Sequence, residues 1–143
     1  MHSKKIDSNP DTYALIFEVG DEIVTLLDAF AREHDLSASS FKAIGALSSA
    51  KLGWYNPDTK SYETAAEFDE QIELVSLIGD IGKLEGVPTV HTHAVIGRRD
   101  GTTAGGHLLH AIVHPTTELF LVEYPTGLVK EHDDAFNLNF FKL

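Results

Sequence analysis

Apolar and polar positions alternate in short blocks along most of this chain, and one early stretch breaks the rhythm. Residues 13–19 are rich in β-formers and read as a strand closed by Gly20. Beyond it, Ile23, Leu26, Leu27 and Phe30 recur at three- and four-residue spacing. That period predicts an amphipathic helix, capped by Asp21 and running to about His34. Residues 41–55 alternate loosely across Gly45 and Gly53 and predict two short strands. Asn56-Pro57-Asp58 is a turn signal, and residues 59–68 return as a strand. Residues 72–78 predict a buried strand. Gly79, Gly82 and Gly86 predict a loop that ends at Pro88. Residues 90–96, 107–113 and 118–124 predict three more strands, and 137–141 a last one. Residues 1–11 are polar and are expected to fray. One main helix near the N-terminus among many short strands predicts a single α+β domain over residues 12–143, with a largely antiparallel sheet.

Composition narrows the chemistry. The 143 residues include 22 acids and 11 bases, a formal charge of −11 with His neutral. Duplex DNA is held mainly through clustered Lys and Arg, so direct DNA binding is disfavoured. There is no Cys, which excludes disulfides, thiolate metal sites and a Cys nucleophile. The first ten residues are not followed by the apolar block of a signal peptide, and no apolar run reaches about 18 residues. A cytoplasmic protein without a membrane span is expected. Nucleotide-loop and nucleophile-elbow patterns are missing. Six acids and one Lys between Asp58 and Glu73 suggest a solvated edge.

Eight histidines are the unusual feature, and three of them have a geometry. His91 and His93 are two apart, so on a strand both imidazoles point to one face. Arg99-Asp100-Gly101 fits a three-residue hairpin loop with Gly101 in the left-handed position. Arg98 then pairs with Thr102, opposed residue numbers sum to 200, and His93 lies opposite His107. Opposed Cβ atoms are about 4.5–5.5 Å apart, within reach of one ion bound at about 2.0–2.1 Å. A two-residue Asp100-Gly101 loop would change the sum to 201 and turn His107 to the other face. A bulge at Gly105-Gly106 would also shift the register. Three neutral imidazoles leave at least one coordination position open. That suits zinc first, with iron, manganese and nickel as alternatives. The other five, His2, His34, His110, His114 and His132, read as structural or surface residues. Glu118 and Glu123 lie in an otherwise apolar strand. They are either acceptors for a ligand imidazole or acid/base groups, or else solvent-facing acids of an edge strand. Arg98 and Arg99 read as solvated.

Ile72-Glu-Leu-Val-Ser-Leu-Ile-Gly, His91-Thr-His93-Ala, Gly105-Gly-His107-Leu108 and Glu118-Leu-Phe-Leu together resemble the PPC domain (plant and prokaryote conserved domain, formerly DUF296). With Phe41-Lys-Ala-Ile-Gly-Ala-Leu and the early strand and helix, the resemblance covers about residues 12–143. It implies an α+β fold assembled as a homotrimer, with His91, His93 and His107 binding a metal as in prokaryotic members. Plant members join this domain to AT-hooks; no Arg-Gly-Arg-Pro core occurs here. The family often has an acid where this chain has His110. The expected function is a stand-alone, trimeric metal-binding protein that acts on or senses a small molecule or anion, with enzymatic activity left open. If it is an enzyme, metal-assisted hydrolysis or lyase chemistry is expected, with Glu118 or Glu123 as acid/base candidates. The alternatives are a regulatory or scaffolding trimer that binds another protein, and the DNA-binding role that family labels suggest.

Overall fold

A computed structural model describes all 143 residues. The strands are β1 (His2–Ser8), β2 (Asp11–Glu18), β3 (Ala38–Asn56), β4 (Ser61–Phe68), β5 (Ile72–Leu84), β6 (Val87–Gly97), β7 (Thr103–Glu123), β8 (Val129–Asp133) and β9 (Leu138–Lys142), with one helix, α1 (Ile23–Glu33), between β2 and β3. The protein is mostly β-sheet with this single short helix. The helix is not long and apolar enough to cross a membrane.

The strands form one sheet in the order β1-β2-β7-β3-β5-β8-β9, with β4 on β3 and β6 bridging β5 and β7. Pairing of β3 with β5, β5 with β6, β6 with β7 and β7 with β3 closes a circuit. All pairs are antiparallel except β5–β8. Inside lies one cluster of 24 buried residues, with Leu15, Phe17, Leu47, Leu77 and Leu121 fully enclosed. The helix buries Ile23, Leu27, Phe30 and Ala31 and packs on β6 and β7. Apolar side chains leaving water on that face drive its attachment, because an isolated helix of 11 residues is marginal in water.

Residues 1–11 do not fray: β1 pairs with β2 from His2↔Ile16 to Ser8↔Asp11. The helix cap is Glu22 rather than Asp21. The Glu22 carboxylate accepts from Val24 N (3.3 Å) and Thr25 N (2.7 Å), and also from Ala111 N on β7 (3.0 Å). Burial alone would raise the pKa of Glu22, but hydrogen bonds from Thr25, Ala111 and Val24 outweigh it and hold the group below the usual range. Asp21 instead accepts from Glu18 N and pairs with the Met1 amino group. The two short strands expected over 41–55 are one 19-residue strand, β3. The two expected over 107–124 are one 21-residue strand, β7. Both are bent by bulges, so each serves several partners in turn. Residues 79–88 are not a loop. Gly79 and Gly82 lie within β5, and a tight Glu85-Gly86 turn joins β5 to β6. Strand β8 had no counterpart in the sequence reading.

Candidate metal centre

The turn at residues 98–102 sets the site. Arg98 N donates to Thr102 O (2.9 Å), Gly101 N donates to Arg98 O (2.9 Å), and Gly101 has φ +83°. This is a three-residue loop with glycine at its left-handed position. The Asp100 carboxylate braces it from the side, accepting from Thr102 N (3.0 Å) and Oγ1 (2.6 Å). The ladder runs without a bulge from Gly97↔Thr103 to His93↔His107. The register that opposes His93 to His107 is therefore the observed one.

Alternation along β6 does the rest. Thr92, Ala94 and Ile96 are buried, so His91 and His93 project from the other face. The ligand-capable atoms of His91, His93 and His107 all lie within 4.8 Å of one another. Their ring centroids are 5.0 Å (His91–His93), 5.4 Å (His91–His107) and 5.3 Å (His93–His107) apart. Tyr62 of β4 stacks on His107 at 4.2 Å and 23°. Burial lowers the pKa of His107 to about 4, and His91 and His93 push in the same direction. Burial, with His91 beside it, also lowers His93, against a smaller opposing effect of Asp80. His93 and His107 are thereby held in the neutral form that ligates metals. His107 Nδ1 is buried and has no hydrogen-bond partner. A buried ring nitrogen without a partner, beside two other imidazoles, is compatible with metal ligation.

The acid beside the cluster is Asp80, which the sequence reading missed. The Glu85-Gly86 turn makes opposed numbers on β5 and β6 sum to 171, so Asp80 lies opposite His91. His91 Nδ1–H donates to Asp80 Oδ2 (3.3 Å), which leaves Nε2 with the free lone pair. The other oxygen, Oδ1, accepts from Lys130 Nζ of β8 (2.6 Å). Burial would raise the pKa of Asp80, but His91 and Lys130 together hold it below the usual carboxylate range. Lys130 is only 4% exposed.

The two acids singled out in the sequence lie elsewhere, and neither lines the histidine cleft. Glu123 accepts from Ser37 N (2.8 Å), Ser37 Oγ (3.0 Å), Ala38 N (3.1 Å) and Ser39 Oγ, and so ties the end of β7 to the start of β3. Glu118 is exposed on β7, opposite Ile16 and Ile44. The remaining histidines have local partners: His2 with Glu18, His110 with Glu22, His114 with Gln71, and His132 with Asn139. His34 packs on Tyr13 and Phe30. Arg98 is not simply solvated but pairs with Glu70 at 2.8 Å.

A Bacteroides thetaiotaomicron protein, provisionally named as DNA-binding, is 30% identical over 99% of this chain and 96% of that one, with a TM-score of 0.91. A metal-containing protein from Archaeoglobus fulgidus is 28% identical, covering 92% of this chain and 93% of its own, with a TM-score of 0.82. A plant- and prokaryote-conserved (PPC) protein from Pyrococcus horikoshii is 27% identical over 92% of both chains, with a TM-score of 0.83. No curated protein matches. The family model of the Plants and Prokaryotes Conserved (PCC) domain matches residues 5–125, and the chain belongs to that family.

Proposed function

We propose that this protein binds one divalent metal ion through His91, His93 and His107 and presents it, with coordination positions open, to a small ligand. The observation that carries the reading is the unbulged β6–β7 register. It gathers three imidazoles within 4.8 Å, one of them with a buried nitrogen that has no partner. The name of the Archaeoglobus fulgidus relative, a metal-containing protein, supports it. An all-imidazole donor set favours zinc, with iron, manganese and nickel as the competing ions. Bound there, such an ion supplies Lewis-acid chemistry at its open positions. The protein's own contribution is to hold the ligands still. Asp80 fixes the tautomer and orientation of His91, Lys130 anchors Asp80, and Tyr62 packs on the face of His107.

Self-association as a homotrimer is part of the proposal. Ile16, Ile44 and Phe120 are 38%, 64% and 47% exposed, and they lie on adjacent strands β2, β3 and β7. They share one face around Glu118, and exposed apolar side chains gathered on one face suit a subunit contact. Direct DNA binding is disfavoured despite the Bacteroides relative's name. A chain of net charge −11 repels a polyanion unless Lys and Arg are concentrated on one face.

The test is elemental analysis of untagged protein after incubation with zinc and gel filtration, beside the His91→Ala/His93→Ala/His107→Ala variant. About one ion per wild-type chain and none in the variant is expected. Equal metal content in the two would overturn the proposal.

A further inference from the structure

The C-terminal hairpin, β8 and β9, lies beyond residues 5–125 that the family model matches, yet it forms one wall of the histidine cleft. Its attachment is built into the fold. Lys83 and Leu84 of β5 pair in parallel with Val129 and Lys130. Gly82 leaves room for the Phe141 ring, which a Cβ at that position would strike. Lys130 Nζ reaches inward to Asp80 and also lies 4.8 Å from the centroid of the Phe141 ring. Leu138, Asn139, Phe140 and Phe141 line the same cleft as the three imidazoles.

The chemistry of that cleft selects a ligand. Its volume is about 340 Å³, the scale of a small molecule. Asp80 is the only acid among the lining residues, and it is already engaged by His91 and Lys130. A divalent ion on three neutral imidazoles therefore carries a charge of two that the cleft leaves unbalanced, although the whole chain is strongly acidic. The ligand that completes the site supplies negative charge. No Arg lines the cleft, so the planar guanidinium fork that grips phosphate is missing. The hairpin wall offers apolar surface instead, with one amide. Asn139 Oδ1 accepts from His132 Nδ1–H (3.0 Å), so its Nδ2 protons remain free to donate.

We propose that the β8–β9 hairpin makes the cleft selective for a small organic carboxylate, its charged end toward the three imidazoles and its apolar body against Leu138 and Phe140, with Asn139 donating to it. This rests on the metal reading above, and the experiment separates the two. Cobalt(II) replaces zinc as a visible-light reporter in the full chain, and its stoichiometry is measured first. The loaded protein is then titrated with benzoate, acetate and inorganic phosphate, following the shift of the cobalt bands. Benzoate is expected to bind about tenfold more tightly than acetate, because only its ring reaches the apolar wall, and more tightly than phosphate. Phe140 is half-exposed, so Phe140→Ala should fold; it is expected to remove most of the benzoate advantage while acetate binding and cobalt affinity hold within twofold. Asn139→Asp keeps an acceptor for His132 but sets a negative charge against the ligand, and is expected to weaken benzoate and acetate alike. Absence of cobalt binding would overturn the metal reading and this proposal with it. Stoichiometric cobalt with benzoate no tighter than acetate or phosphate, or with no loss in Phe140→Ala, would overturn the hairpin's role alone.

Discussion

Replacing Asp80 by Asn tests the link between the buried Lys130 and the metal ligands. Asp80 has two oxygens with two separate tasks, Oδ1 for Lys130 Nζ (2.6 Å) and Oδ2 for His91 Nδ1–H (3.3 Å). Asn has one acceptor and carries no charge. It can serve one partner, and the Lys130 ammonium, 4% exposed, is left without a counter-ion. Breaking a fully buried pair by removing one partner costs about 3–5 kcal/mol. Asp80 is 33% exposed and Asn keeps one acceptor, so the expected loss is smaller, about 2–3 kcal/mol. In urea that lowers the unfolding midpoint by about 1–2 M. Metal affinity should fall about 10- to 100-fold as the imidazole loses its carboxylate. Adding Lys130→Met removes the stranded charge. The double variant should recover stability to within about 1 kcal/mol of the wild type, with metal affinity still reduced. Urea unfolding of the metal-free proteins and competition with a chromophoric chelator read the two effects separately. The reasoning fails if Asp80→Asn unfolds within about 0.5 kcal/mol of the wild type, or if the double variant is no more stable than the single one.

Deleting Ala104, which lies between the turn and His107, should move His107 one place along the ladder to face Ala94, change its opposed sum from 200 to 201 and turn it from the cluster; elemental analysis should then find no metal in a folded protein. Glu22→Ala removes the helix cap and strands Ala111 N, for an expected loss of about 2 kcal/mol in chemical unfolding. The metal-free protein should lose stability as pH falls from about 6.5 toward 4. His107, held near 4 when folded and close to 6.5 when unfolded, takes up its proton preferentially in the unfolded chain over that window, so stability rises with pH there. Thermal melts across the window check this, and His107→Ala should flatten the slope. Gly82→Val should push Phe141 off β5, seen as faster amide exchange over residues 129–142 with little change in the β2, β3 and β7 core.

Two long strands show where sequence patterning stops. β3 and β7 read as pairs of short strands because bulges interrupt their alternation, and a bulge makes the period slip by one. Nothing local distinguishes a bend in one strand from a gap between two. The glycines of β5 misled for a related reason. Gly79 and Gly82 look like loop punctuation, but they are strand residues over which the Phe41 and Phe141 rings pack. Taking residues 79–88 as a loop hid the Glu85-Gly86 turn, and with it the pairing of Asp80 and His91. That pairing followed the same arithmetic that opposed His93 to His107.

What the sequence determined by itself was local. Strand alternation, a three-residue turn with Gly101 at its left-handed position, and the spacing of His91, His93 and His107 were enough to bring three imidazoles to one face, because β-pairing carries a turn's register outward residue by residue. The tertiary structure decided everything that depends on distant segments meeting. It assigned Glu123 to the Ser37–Ser39 backbone instead of the cleft, and it brought Lys130 across 50 residues to Asp80. It also closed the cleft with a hairpin that approaches through the space left at Gly82. Register is transmitted along hydrogen-bonded ladders and can be counted from a turn. The packing of one element on another depends on the shape of both, and one strand's pattern holds no information about its partner's.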